Sequence, residues 1–196
     1  MSSHYTDVDR LILERWSDVL DLQDAFKELT DRMRLAIDGA LQKTGRWLDE
    51  QGYLCECDAR SPEITAWKPT WEVKKGKPGV RLKVAGFAPS GYVRNPPAHP
   101  YLWVLTGELS QLKLKDADRA QFARQLREAL GASAPRWDHD EVDTDEPLGR
   151  YLSDVSDARR VEMVADPQQL QEFLRSGFGE LFELSGSIDA TFPRGK

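Results

Sequence analysis

The chain has 196 residues, of which 40% are hydrophobic and 31% charged, and its formal net charge is −6. This composition supplies enough apolar side chains for a folded core, excludes global disorder and disfavours a phosphate backbone as the default partner. No run approaches the roughly 20 apolar residues of a membrane span, and the polar start of the chain lacks the apolar region of a secretory signal.

The longest periodic stretch runs from residue 7 to about residue 51 and predicts a helix. Thr6 and Asp9 form a capping-box pattern at its start, with Asp in place of Glu. Its apolar residues recur three, four or seven positions apart and make one stripe: Leu22, Phe26, Leu29, Met33, Ile37, Leu41 and Leu48. An unbroken helix of this length would be about 60 Å long, so it must break or project from a small domain. A projecting stripe needs a partner, which is another protein or a second copy of the chain.

Strand patterns follow, rich in Trp, Val, Tyr and Thr and bounded mostly by Gly or Pro. They cover residues 53–58, 65–75, 80–87 and 101–108. A hairpin turning at 76–79 would pair Lys75 with Val80 and place Glu72 opposite Lys83, with one apolar and one charged face. Further helices are predicted over 115–130 and after Asp166, and a short edge strand over 148–155.

These elements predict an α+β fold. We expect a helical extension over residues 1–51 and an α+β domain over residues 52–196. In that domain a mostly antiparallel sheet of four to five strands is covered on one face by the C-terminal helices.

The segment Glu72-Val73-Lys74 has the form E-x-K, and an upstream Pro62-Glu63 precedes it. It resembles the PD-(D/E)xK nucleases. That resemblance implies that Glu63 and Glu72 hold Mg²⁺ while Lys74 orients a water or stabilises charge on the phosphate. The Pro-Asp pair of the family is absent. The same residues also fit a solvent-facing strand on which Glu and Lys pair across the hairpin.

A second similarity lies in the last third of the chain, at residues 148–152 and at Ile188-Asp189. These segments are similar to the C-terminal part of some bacterial nuclease-superfamily and phage-defence proteins. The resemblance implies a helper region or a degenerate relative of such proteins, without identifying catalytic residues.

Six acidic residues crowd positions 138–146, among them Asp138, Asp140, Glu141 and Asp143. An EF-hand loop needs Gly at its sixth position and Glu at its twelfth, where this chain has Asp143 and Gly149. The segment is therefore expected to offer charge to a basic protein surface rather than to hold an ion. The histidines His4, His99 and His139 lack metal-ligand spacing, and no cofactor is expected.

The basic residues of the predicted hairpin and the two cysteines indicate a possible partner and a cellular compartment. Basic residues cluster in the predicted hairpin beside Trp67, which makes nucleic acid a second and less favoured partner: Lys68, Lys74, Lys75, Lys77, Arg81 and Lys83. Cys55 and Cys57 lie two apart on a predicted strand, which does not suit a disulfide. Together with the absence of a signal, they indicate a reduced, cytoplasmic chain.

The sequence thus favours a non-enzymatic protein-binding or regulatory protein, such as a subunit of a bacterial defence or toxin–immunity pair. Its expected contact surfaces are the N-terminal helix stripe, which predicts an oligomer, and the acidic segment. The alternative is a Mg²⁺-dependent nuclease of the PD-(D/E)xK type, or a degenerate relative of one.

Overall fold

A computed structural model describes residues 6–58, 62–87, 100–107, 109, 116–131, 137, 145–152 and 155–193. Its helices are α1 (Asp7–Glu14), α2 (Trp16–Glu50), α3 (Asp116–Ala129), α4 (Asp157–Ala165), α5 (Pro167–Phe182) and α6 (Ser185–Thr191). Its strands are β1 (Leu54–Asp58), β2 (Glu63–Trp67), β3 (Glu72–Lys74), β4 (Lys77–Pro78), β5 (Arg81–Ala85), β6 (Tyr101–Leu105) and β7 (Leu148–Tyr151). The predicted α+β class, with a long N-terminal helix ahead of the sheet, is confirmed.

Five strands form one antiparallel sheet in the order β1-β2-β5-β6-β7, and β3 and β4 form a separate two-stranded sheet. Because side chains alternate along a strand, the large sheet has two distinct faces. The inner face carries Ile64, Ala66, Leu82, Val84, Leu102, Val104 and Leu148, all 0% exposed. The outer face carries Glu63, Thr65, Lys83, Tyr101, Trp103 and Tyr151.

Two helices cover the inner face. The C-terminal half of α2 lies over β1, where the Cys55 and Cys57 thiols donate to its Gly45 and Leu41 carbonyls at 3.7 and 3.8 Å. Helix α5 lies beside α2 and over β5 and β6, so close that a Cβ at Gly177 would sit 2.8 Å from Leu102 Cδ2. The core is therefore a helix layer on a sheet layer, as predicted from the sequence.

Local sequence signals predicted where two of the helices begin. At the start of α1, Thr6 and Asp9 form a complete capping box, with Asp9 Oδ2 accepting from the Thr6 N–H at 2.7 Å. At the start of α5, Asp166 accepts from the backbone of Gln168 at 2.8 Å, and Pro167 is the first helical residue. These signals act over three or four residues, which is why the sequence reveals them.

The predicted hairpin register is wrong. The strand ends at Trp67, a 3-10 turn spans Pro69–Trp71, and Glu72 then pairs with Pro78 rather than lying opposite Lys83. Lys83 instead lies between Thr65 of β2 and Trp103 of β6.

Contacts with the end of the chain explain the break in that strand. The Trp71 indole is 0% exposed and its Nε1–H donates to Asp189 Oδ1 of α6 at 2.7 Å, while Lys68 forms an ion pair with the same carboxylate. Beside them, the Tyr53 and Ser185 hydroxyls hydrogen-bond at 2.5 Å. The turn thus holds α6 in place. This contact could not be predicted from the residues near Trp71, because its other partner lies at the end of the chain.

None of the helices in the described ranges is both long enough and apolar enough to cross a lipid bilayer.

Candidate interaction surface

Helix α2 carries one continuous apolar seam. Its members alternate three and four residues apart, the a and d spacing of a coiled coil: Val19, Leu22, Phe26, Leu29, Met33, Ala36 and Ala40. The 35-residue helix therefore presents the same face along most of its length. The two ends of the helix differ in whether other parts of the chain pack against that face.

The C-terminal half of the seam is buried by the chain itself. The seam residues Met33, Ala36 and Ala40 are 6%, 8% and 0% exposed. Ile37, Leu41 and Leu48, which widen the buried face of the same helix, are at most 1% exposed within the core cluster. We call residues 33–48 the buried half of α2. Met33 was among the residues predicted to bind a partner, and its own domain covers it.

The N-terminal half of the seam has no such cover. Leu22 is 70% exposed, Phe26 52% and Leu29 37%. We call Val19, Leu22, Phe26 and Leu29 the exposed seam. Residues 16–32 extend about 25 Å beyond the buried half at 1.5 Å per residue, and this length accounts for the exposure.

Helix α1 adds further uncovered apolar surface. The backbone leaves helical geometry at Arg15, with φ −113° and ψ 28°, so α1 and α2 are separate helices. No residue of α1 is buried, and Val8, Leu11 and Leu13 are all more than half exposed. Several large apolar side chains exposed on two successive helices are typical of an interaction site.

Charged residues on this part of the helix are held only by weak local pairs. Arg15 and Asp18 lie 3.5 Å apart, and Glu28 and Arg32 3.7 Å apart, with all four side chains about 70% exposed. Ion pairs this open to water contribute about 0–1 kcal/mol. They leave the side chains able to turn toward a partner.

The residues of the nuclease interpretation lie apart. Glu63 begins β2 and forms an ion pair with Lys83 at 2.8 Å, whereas Glu72 follows the far end of β2 and accepts from the Trp67 indole N–H at 3.3 Å. The four residue steps of β2 span about 13 Å. Lys74 is exposed on β3, outside the five-stranded sheet.

Among the residues that the structure describes, no three His, Cys, Asp or Glu side chains are grouped to hold a metal ion. The nuclease interpretation stays a prediction. Incubating DNA and Mn²⁺ with the wild-type chain, beside a Glu72→Ala control, tests it.

The predicted acidic surface falls outside the described residues, with Asp138, Asp140, Glu141 and Asp143, and so do His4, His99 and His139. The described end of that segment is Asp145, whose carboxylate pairs with Arg119 of α3 at 3.2 Å.

The outer face carries a polar and aromatic cluster that sequence reasoning missed. Burial by itself would lower the pKa of Lys83, but its hydrogen bond and ion pair with Glu63, together with Tyr101, outweigh this and raise it. Tyr101 lies with its ring centroid 4.7 Å from that of Trp103 and 5.9 Å from that of Tyr151. The signal was the alternation along β5 and β6, but the wrong hairpin register assigned Lys83 to Glu72.

Cys55 and Cys57 form the second feature missed. Interaction with the neighbouring Cys57 thiol lowers the pKa of Cys55 to about 7, while the same interaction raises the pKa of Cys57. Their spacing of two residues did place both thiols on one strand face. The same spacing could not predict how closely α2 approaches the thiols. At Gly45 a Cβ would lie 3.3 Å from Cys55 Sγ.

Comparison of the chain with protein-family models, with curated proteins and with solved structures gives no match. Its function is therefore inferred from its own surface.

Proposed function

We propose that this chain is a protein-binding subunit that docks onto another protein chain through the exposed seam of α2. The observation that carries the proposal is the change along one seam, from 6% exposed at Met33 to 70% at Leu22. A helix of 17 residues with water on every side is marginal in isolation, because most helical stability in proteins comes from packing of an apolar face. A partner on the seam supplies that packing.

The energy available from such docking is large enough to matter. Fully burying a Leu or Phe side chain contributes about 1.5–3 kcal/mol, and Leu22, Phe26 and Leu29 still expose between 37 and 70% of theirs. Roughly 1 kcal/mol from each of three side chains would strengthen binding by about two orders of magnitude. The aromatic ring of Phe26 lies mid-seam, where an anchor residue of an interface is most effective.

The surface fits a non-enzymatic role, because its chemistry is apolar contact flanked by charge. A place in a bacterial defence or toxin–immunity pair is part of the proposal and rests on the resemblance in the last third of the chain alone. The acidic segment at 138–146 is a further proposed contact, for a basic protein surface.

Site-specific photo-crosslinking of the full chain tests the docking. A benzophenone amino acid at position 26 lies in the exposed seam, whereas the same group at position 24 points about 200° around the helix and is the matched control. We expect one defined protein adduct from position 26, with the crosslinked peptide identified by mass spectrometry, and none from position 24. Equal labelling from both positions, or no adduct from either, would refute the docking proposal.

A further inference from the structure

We propose that the partner on the exposed seam is a second copy of this chain, docked with its α2 running in the opposite direction. This inference rests on the proposed function and names the partner. In the paired arrangement Val19 of one copy faces Leu29 of the other, and Leu22 faces Phe26. The contact is isologous, as in most two-fold homodimers.

The residues that flank the seam distinguish the two directions. On one flank, immediately before each a position, lie Asp18, Ala25 and Arg32; on the other, immediately after each d position, lie Gln23 and Thr30. In a coiled coil these flanking positions set partner choice and orientation. A parallel pair brings opposite flanks together, so Asp18 would meet Gln23 and Ala25 would meet Thr30, with no charge pair formed.

An antiparallel pair instead brings each flank against itself. Asp18 of one copy then meets Arg32 of the other, and symmetry forms this ion pair twice. The small Ala25 meets its own counterpart near the two-fold axis. The Thr30 hydroxyl, on the opposite flank, already donates to the Phe26 carbonyl at 2.8 Å and needs no partner. Charge complementarity therefore selects the antiparallel arrangement.

The break between α1 and α2 agrees with the same register. When Val19 faces Leu29, Arg15 lies level with Met33 of the second copy, where that copy's seam enters its own hydrophobic core. A helix continuing straight beyond Arg15 would follow a face that is already occupied. The backbone departs from helical geometry at that residue, so α2 does not continue straight beyond it.

Crosslinking from the flanks tests the arrangement without altering the seam. Ala25→Cys and Thr30→Cys chains are treated with a short bismaleimide, separately and mixed, and the unsubstituted chain controls for Cys55 and Cys57. We expect a covalent dimer from Ala25→Cys alone and none from Thr30→Cys alone. Light scattering of the untreated full chain is expected to give twice the monomer mass.

Other results overturn the inference. A crosslink that needs the mixture of the two variants indicates a parallel pair, and a dimer that crosslinks in neither case places the contact elsewhere. A chain that stays monomeric at every concentration excludes the second copy as partner. In that case an adduct from position 26 to a different protein keeps the docking proposal, so the two failures are distinguishable.

A charge exchange provides the matched test of the ion pair. Asp18→Arg places like charges opposite each other twice, and we expect the dimer dissociation constant to rise roughly tenfold. The double variant Asp18→Arg/Arg32→Asp restores the pairing and is expected to recover the wild-type constant in sedimentation analysis. Equal weakening by the single and double variants would contradict the proposed contact.

Discussion

The two halves of α2 have the same seam and opposite surroundings. From Met33 to Ala40 the seam residues are buried within the chain itself, whereas Leu22 and Phe26 are more than half exposed. As far as Ala40 their spacing is the same, since the seam alternates three and four residues on both sides of Met33. Periodicity thus defines which face of a helix is apolar. The fold determines whether that face is buried by the same chain or remains available to another one.

The largest expected effect comes from truncating one leucine in each half. Leu41→Ala removes a side chain that is 1% exposed, and we expect the free energy of unfolding to fall by about 2–5 kcal/mol because a cavity remains. Leu22→Ala, at 70% exposure, is expected to change it by less than about 0.5 kcal/mol. Urea denaturation at low protein concentration measures both. Equal losses would mean that the exposed half is also packed within its own chain.

Glycines in α5 extend the comparison to the helix beside α2. Gly177→Ala places a Cβ 2.8 Å from Leu102 Cδ2, and the overpacking is expected to cost about 1–3 kcal/mol. Gly179→Ala, two residues on, meets no atom within 4 Å and should gain up to about 1 kcal/mol from helix propensity. Thermal unfolding of the two variants gives the signs. If both variants were stabilised, α5 would have to lie farther from the sheet than the 2.8 Å approach to Leu102 Cδ2 implies.

A buried hydroxyl in the buried half of α2 provides a substitution that is expected to raise the free energy of unfolding. Thr44 is 0% exposed, and among the residues that the structure describes its Oγ1 has no hydrogen-bond partner. Thr44→Val keeps the branched shape and removes the unpaired polar atom, so we expect about 1 kcal/mol of added stability in urea denaturation. A destabilised variant would indicate a water or another group bonded to this hydroxyl.

The cysteines under α2 provide a chemical readout of the same packing. The pKa of Cys55 is lowered to about 7, and the thiolate is the reactive form, so its alkylation by iodoacetamide should increase as the pH rises through about 7. Cys57→Ala removes the neighbouring thiol and should move this midpoint up toward about 8.5, the ordinary pKa of a thiol. Peptide mass spectrometry resolves the two sites. An unchanged midpoint would show that Cys57 is not the cause.

The sign of the effect on stability follows from the same shift. Because the folded pKa of Cys55 lies below the unfolded value, folding is favoured more as the pH rises from about 7 toward the unfolded pKa of about 8.5. This contribution is lost when the pH falls through 7. The raised pKa of Cys57 opposes it at higher pH, since that thiol retains its proton longer in the folded chain.

Features that depend on near neighbours in the chain could be predicted from the sequence. The capping box at Thr6, the cap at Asp166 and the strand β6 all follow from patterns of a few residues. The hairpin register failed because a distant contact determines it. Trp71 turns inward to reach Asp189, which lies 118 positions later.

The candidate site was predictable only in part. Spacing correctly grouped Leu22, Phe26, Leu29 and Met33 on one face, but it could not separate the first three from the last. That separation depends on where the hydrophobic core of the chain ends along the helix. In the same way, alternation put Lys83 on a charged face, yet its partner Glu63 became evident only once β2 and β5 were paired.

Amide hydrogen exchange along α2, followed from low to high protein concentration, tests the central claim most directly. We predict that residues 33–48 are protected equally at every concentration. Residues 16–32 should gain protection as the concentration rises and lose it again when Leu22, Phe26 and Leu29 are changed to Gln. Protection of 16–32 that is high at every concentration and unaffected by those changes would contradict the account.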